Sequence, residues 1–265
     1  MLLASLLANA LLLVAAVVLY RLFRRYQRNL YLQQERDLDW PVPTVQPSLV
    51  HPALACDDFG PTPAAEVAHI GTGDGVKYST SDREAWILSV LAKHSHRIFE
   101  FGTCTGRTAY LLARNSPADA TVTTLTLAPD QLERYEHTDR DAREAAKRAR
   151  KESTYTRFRY SGTDVERKVE QRFGDSKAFD ETPYSGSCDL IFVDGSHAYS
   201  YVVSDTEKAL RMVAPGGFIV WHDYKGPQGS ARGVFERLNE LVHTLPLVRV
   251  QGTSLVVYHA PADPG

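Results

Sequence analysis

Short apolar runs that break off into polar residues alternate with helix-type segments from Arg97 to His259. The runs are "RIFEF", "ATVTTLTLA", "CDLIFV" and "GFIVW", and "VEQRFGD" reads as a further short strand and turn. Strands alternating with helices leave few choices: a parallel sheet with helices on both faces, a doubly wound α/β fold. "LPLVRVQGTSLVVYHA" turns at Gly252 and reads as an antiparallel closing hairpin. Ser81 with Glu84 predicts a capping box ahead of an apolar helix face at Trp86, Ile87, Val90 and Leu91. Gln131 to Lys151 carries both charge signs and reads as one long solvated helix. "SDTEKALRMVAPGG" reads as a helix stopped by Pro215 and Gly216.

Ligands in such sheets bind at the carboxyl ends of the strands. The polar residues gather there: Glu100 and Gly102, then Asp175, then Asp194 and His197, then His222 and Asp223. The first of these ends, "RIFEFGTCTGRTAYLLA", runs from a strand through Gly102 and Gly106 into a helix. That arrangement presents free backbone N–H groups to a ligand. A dinucleotide site wants G-x-G-x-x-G with an acid about 20 residues on. Here the acid, Glu100, precedes the glycines, which argues against a nicotinamide enzyme.

The N-terminus differs from the rest. Leu2 to Tyr20 is apolar except for Ser5 and Asn9, and Arg21, Arg24, Arg25 and Arg28 follow. At about 1.5 Å per residue such a run just crosses a ~30 Å hydrocarbon layer. The expectation is a transmembrane anchor over 1–20, a juxtamembrane helix and linker over 21–75, and a catalytic domain over 76–260. The basic flank places that domain in the cytosol, giving a single-pass protein of the inner (cytoplasmic) membrane; the competing reading is a cleaved signal peptide, which the lack of a basic residue ahead of the run opposes. Cys56, Cys104 and Cys188 are odd in number and widely spaced, which suits a reducing compartment and gives no metal-type spacing. The net charge of −2 gives no nucleic-acid footprint.

Glu100-Phe-Gly102-Thr-Cys-Thr-Gly106, with "FGDS" and "DLIFVDGSHAYSYVVSDTEKALRMVAPGGFIVWHDY", resembles the class I S-adenosylmethionine-dependent methyltransferases. The likeness is to a bacterial group near the catechol and macrolide-sugar O-methyltransferases, and it extends over roughly Val76 to His259. It implies a Rossmann-like fold with a seven-stranded sheet. It also implies cofactor contacts from Glu100, Gly102, Thr103, Gly106, Thr126, Asp175, Ser176 and Asp194. Glu100 would hold the amino end, and Asp175 and Ser176 would face the adenine. Thr126 stands where the family usually has a ribose-gripping acid, and a hydroxyl makes a weaker neutral contact. Asp130 is the candidate to substitute for it.

In catechol-type relatives two strand-end acids hold Mg²⁺, and Asp194 and Asp223 match them by position. Tyr224 stands in place of their usual asparagine. His197 stands three residues past Asp194, where the base is expected, and histidine suits proton transfer near neutral pH. Tyr199 and Tyr201 either line the acceptor pocket or pack. The implied function is a membrane-anchored methyltransferase, acting on oxygen of a small molecule, sugar or lipid-linked acceptor. The competing reading is a non-catalytic membrane-tethered scaffold with a degenerate cofactor site, which Thr126 favours and the "VDGSH" and "WHDY" strand ends oppose.

Overall fold

A computed structural model describes residues 9, 12–26, 40–72, 80–136 and 138–262. Two compact units divide the chain, Met1–Trp40 and Pro41–Gly265. In the first, residues 12–26 form helix α1, with Leu12, Leu13, Val14 and Leu19 exposed. Residues 1–8, 10 and 11 of the expected anchor lie outside the described residues, as do 27–39 of the juxtamembrane segment. Among the described residues no helix is long and apolar enough to cross a membrane.

The second unit begins at Pro41. The stretch read as a linker supplies strand β1 (Thr44–Val45), helix α2 (Pro47–Val50) and a small hairpin of β2 (Cys56–Asp57) and β3 (Gly60–Pro61). Then follow α3 (Asp82–Ala92), β4 (Arg97–Phe101), α4 (Arg107–Asn115), β5 (Thr121–Thr126), α5 (Arg143–Glu152) and β6 (Val169–Phe173). The chain closes with β7 (Cys188–Val193), α6 (Tyr199–Met212), β8 (Val213–Trp221), α7 (Arg232–Leu241), β9 (Val248–Val250) and β10 (Val256–His259).

One sheet has the order β1-β9-β10-β8-β7-β4-β5-β6. Its central pairs, β4 with β5 and β7, β5 with β6, and β7 with β8, are parallel; β10 runs antiparallel to β8 and β9. The sheet has eight strands, not seven, because β1 adds in parallel beyond β9, with Thr44 opposite Arg249. Ile98, Leu190, Phe192 and Val220 pack with α3 and α4 on one face. Trp221 faces the other side and donates its indole N–H to Thr206 of α6 at 2.9 Å. Apolar side chains on both faces of each central strand account for the near-continuous apolar runs.

Two helix boundaries differ from the sequence reading. The long charged segment is broken: a 3₁₀ turn covers Pro129–Arg134 and α5 starts only at Arg143. Asp141 accounts for the break. Its carboxylate accepts from Thr138 N (2.6 Å) and Thr138 Oγ1 (3.1 Å), and also from Ser200 N (2.8 Å) and Ser200 Oγ (2.7 Å) at the start of α6. Pro215 and Gly216 do not stop α6; it ends at Met212 and both lie inside β8.

Candidate active site

The site is built on consecutive strand ends. Beyond β4, Gly102 N donates to Leu125 O (2.8 Å), Asp194 N to Phe101 O (2.9 Å) and His222 N to Val193 O (3.1 Å). The ladder therefore carries Gly102, Asp194 and His222 to one edge. Gly102 has φ +98°, and a Cβ there would lie 2.1 Å from Asp194 O. The neighbouring strand end by itself requires glycine here. Gly106 caps α4 at φ +73° and faces Phe158 and Tyr160, away from the cleft.

A cleft enclosing about 540 Å³, part of it open to solvent, runs along this edge. Gly102, Thr126, Asp175, Ser176 and Asp194 line it as expected, joined by Cys104, Tyr135, Glu152, Tyr201 and Asp205. Asp130 is exposed on the 3₁₀ turn and does not return to Thr126. Tyr201 stacks on Tyr135 with centroids 4.6 Å apart and donates its hydroxyl to Asp175 Oδ2 at 3.1 Å. Tyr199 points elsewhere, donating to Glu240 at 2.6 Å.

Glu100 and Thr103 lie beneath the cleft floor. Gln171 Nε2 donates to Thr103 Oγ1 (3.2 Å), Thr103 meets Thr124 (2.7 Å), and Thr124 donates to Glu100 Oε2 (2.5 Å). Glu100 Oε1 is buried without a partner. Burial pushes the Glu100 carboxyl up to about 8, partly offset by the Thr124 hydroxyl and helped by the nearby Asp194 charge.

Asp194, His197 and Asp223 converge. His197 Nε2 is 3.5 Å from Asp194 Oδ1 and 3.4 Å from Asp223 Oδ2, and neither ring nitrogen makes a hydrogen bond. His222 Nδ1 faces Asp194 Oδ1 (3.0 Å) and Asp223 Oδ1 (3.3 Å), while its Nε2 faces Glu84 Oε2 (3.2 Å). Burial opposes charge on His222, but the Asp194 and Asp223 carboxylates overcome it and hold its pKa well above the ordinary value. Burial would raise Asp223; His222, His197, Lys225 and Arg148 instead hold it far below the carboxylate range. Asp223 also has φ +63°, a left-handed conformation that costs a non-glycine residue energy and that clusters at functional sites.

The Mg²⁺ expected on Asp194 and Asp223 does not fit. Their ligand atoms and a nitrogen of His197 do lie within 4.8 Å of one another, the outline of a three-ligand centre. However, Asp223 Oδ2 is 3.0 Å from Arg148 Nη1, and Lys225 and His222 take Oδ1. Mg²⁺ wants six oxygens, and the Tyr224 hydroxyl is spent on Asn239 Oδ1 at 2.5 Å. Arg148, Glu152 and Glu84 are the residues sequence reasoning missed. They arrive from α5 and α3, where spacing gave no signal of chemistry.

Residues 99–224 match the model of the family described as "Methyltransferase domain". No curated protein matches the chain. Among solved structures, the O-methyltransferase TomG from Streptomyces achromogenes, in complex with SAM, is 19% identical with TM-score 0.48, over 70% of this chain and 82% of that one. SAH-bound methyltransferase PaMTH1 from Podospora anserina is 16% identical with TM-score 0.49, over 70% and 80%. The O-methyltransferase from Bacillus cereus, in complex with SAH, is 17% identical with TM-score 0.46, over 69% and 84%. Such distant likenesses carry no weight beside the family match, the parallel strand order and the strand-end cleft above an unpartnered Glu100 oxygen. On those grounds residues 99–224 carry a methyltransferase domain.

Proposed function

We propose that the chain O-methylates a small-molecule, sugar or lipid-linked acceptor, with His197 as general base. The observation that supports this most is the His197 ring, buried between two carboxylates with both nitrogens otherwise unpartnered. His197 would take the proton from an acceptor hydroxyl, and the Asp194 and Asp223 carboxylates would stabilise the imidazolium formed.

The cofactor supplies the methyl group as a sulfonium. Glu100 Oε1 suits its amino end, Asp175 and Ser176 its adenine, and Thr126 a ribose hydroxyl. The chain's remaining task is to align the acceptor, an effect worth ~7–11 kcal/mol in well-oriented reactions. His197 is only 4% exposed, so an acceptor must displace neighbouring side chains to reach it.

The test is His197→Ala, assayed for S-adenosylhomocysteine formation against phenol, catechol and sugar acceptors. Loss of turnover with unchanged S-adenosylhomocysteine affinity supports the base; turnover equal to the parent removes it. Attachment through Leu2–Tyr20 to the cytoplasmic face of a membrane belongs to the same reading, and its support is the apolar run and arginine flank. Extraction of the full chain from membranes by alkaline carbonate would end it.

A further inference from the structure

We propose that the Asp194–Asp223 pair is neutralised by the protein's own cations, with Arg148 in the place a divalent ion would take, so that this domain works without a bound metal. The proposal rests on the methyltransferase reading and adds Arg148 to it as the residue that positions Asp223.

A carboxylate with no exposed surface needs a fixed positive partner. Asp223 is 0% exposed and has three besides His197, which lies 3.4 Å from Oδ2. Arg148 Nη1 lies 3.0 Å from Oδ2, Lys225 contacts Oδ1, and His222 lies 3.3 Å from Oδ1. Arg148 is itself set in place: its Nε donates to Glu152 Oε1 at 2.6 Å, one turn further along α5. The guanidinium thus bridges a cleft-lining acid and the buried acid. A planar fork held at both ends is a rigid cation, which a flexible ammonium is not.

A divalent ion on Asp194, His197 and Asp223 would share Asp223 Oδ2 with that guanidinium. Two cations on one oxygen repel strongly in a site this buried. The third side chain offers an imidazole nitrogen, not the oxygen that Mg²⁺ prefers. Arginine and metal are therefore alternatives here, and the geometry has chosen arginine.

The test is a Mn²⁺ titration of the full chain saturated with S-adenosylhomocysteine, followed by the electron paramagnetic resonance signal of the free ion. The parent is expected to remove no ion at the pair. Arg148→Gln is expected to take up one Mn²⁺ per chain, and Arg148→Lys, which keeps the charge, to behave as the parent. S-adenosylhomocysteine affinity, measured beside it, should be equal in all three. A parent that binds one Mn²⁺ and loses it in Asp223→Asn overturns the proposal, and so does an Arg148→Gln protein that holds the cofactor product but gains no ion. A Mn²⁺ site that survives Asp223→Asn lies elsewhere and leaves the pair metal-free, as proposed. Should Arg148→Gln fail to fold, the comparison of parent with Asp223→Asn still decides. Failure of the parent to bind S-adenosylhomocysteine would instead remove the methyltransferase reading itself.

Discussion

His222 Nε2 lies 3.2 Å from Glu84 Oε2, so the residue that caps α3 also clamps the active-site imidazole. Glu84 accepts from Ser81 N at 2.9 Å, Ser254 N at 2.8 Å and Ser254 Oγ at 2.7 Å as well. One buried carboxylate therefore ties a helix start, the closing hairpin and the base of the site. Breaking a buried pair from one side costs about 3–5 kcal/mol, and Glu84→Ala should destabilise the fold by that order in a denaturant titration. The pH dependence follows from signs. Burial opposes ionisation of Glu84, but the hydrogen bond and charge of His222 prevail and hold it below the ordinary carboxylate value. Its contribution is present above about 4.5 and is lost as pH falls through the lowered value. His222 is raised above about 6.5, so its contribution is full below that pH and is lost as pH rises through the raised value. The Glu84–His222 contribution should be constant between these limits, and His222→Gln should flatten the alkaline decline. An unchanged alkaline decline in that variant would contradict the clamp.

With Glu100 at the amino end of the cofactor, as proposed, binding should depend on pH. Its carboxyl keeps a proton up to about pH 8 in the ligand-free chain. A positively charged amino end favours the ionised form, so binding should release close to one proton below that pH. Affinity for S-adenosylhomocysteine should then rise by up to about tenfold per pH unit between 6 and 8. Calorimetry in buffers of different ionisation enthalpy reads the proton directly. Glu100→Gln should bind more weakly and lose the pH dependence; a flat parent profile would place the amino end elsewhere.

Gly102→Ala is a folding variant, not a clean binding variant. The added Cβ meets Asp194 O at 2.1 Å, and φ +98° strains any side chain. A cost on the order of 2–4 kcal/mol follows, which lowers the melting temperature by roughly 5–10 °C in a domain of this size. A melting temperature equal to the parent's would show that the β4 and β7 ends move apart freely.

The strand ends were legible because each apolar run must stop where the sheet stops, and polar residues there have only the cleft edge to occupy. Asp175 and Asp194 follow from that rule, whereas Glu100 and Asp223 are buried behind the edge. The contact of Gly102 with the Asp194 carbonyl was hidden, since a non-local contact leaves no trace in local spacing. Arg148 and Glu152 were hidden because a helix with both charge signs looks the same whether it faces solvent or an active site. Strand β1 was hidden because Thr44 and Val45 are too short to alternate and sit between Pro43 and Pro47.

Asp205 gives a stability test independent of any ligand. It lines the cleft, is 1% exposed, and its Oδ1 makes no hydrogen bond. Burial raises its carboxyl to about 7, against a lowering hydrogen bond from Ser176; Asp175 adds to the rise, and Lys208 and Lys177 oppose it. An acid raised in the folded state binds its proton more tightly there than in the unfolded chain. Its favourable contribution is complete below the unfolded value of about 3.8 and is lost as pH climbs to about 7. Asparagine copies the neutral form and cannot ionise. Asp205→Asn should therefore match the parent near pH 4 and outlast it increasingly up to pH 7. Beyond that pH its advantage should stay constant, because both folded and unfolded parent are then ionised. Paired melting curves across that range measure the difference. A variant advantage that is the same at every pH would mean the effect is one of packing, and that Asp205 is ionised in the folded protein throughout.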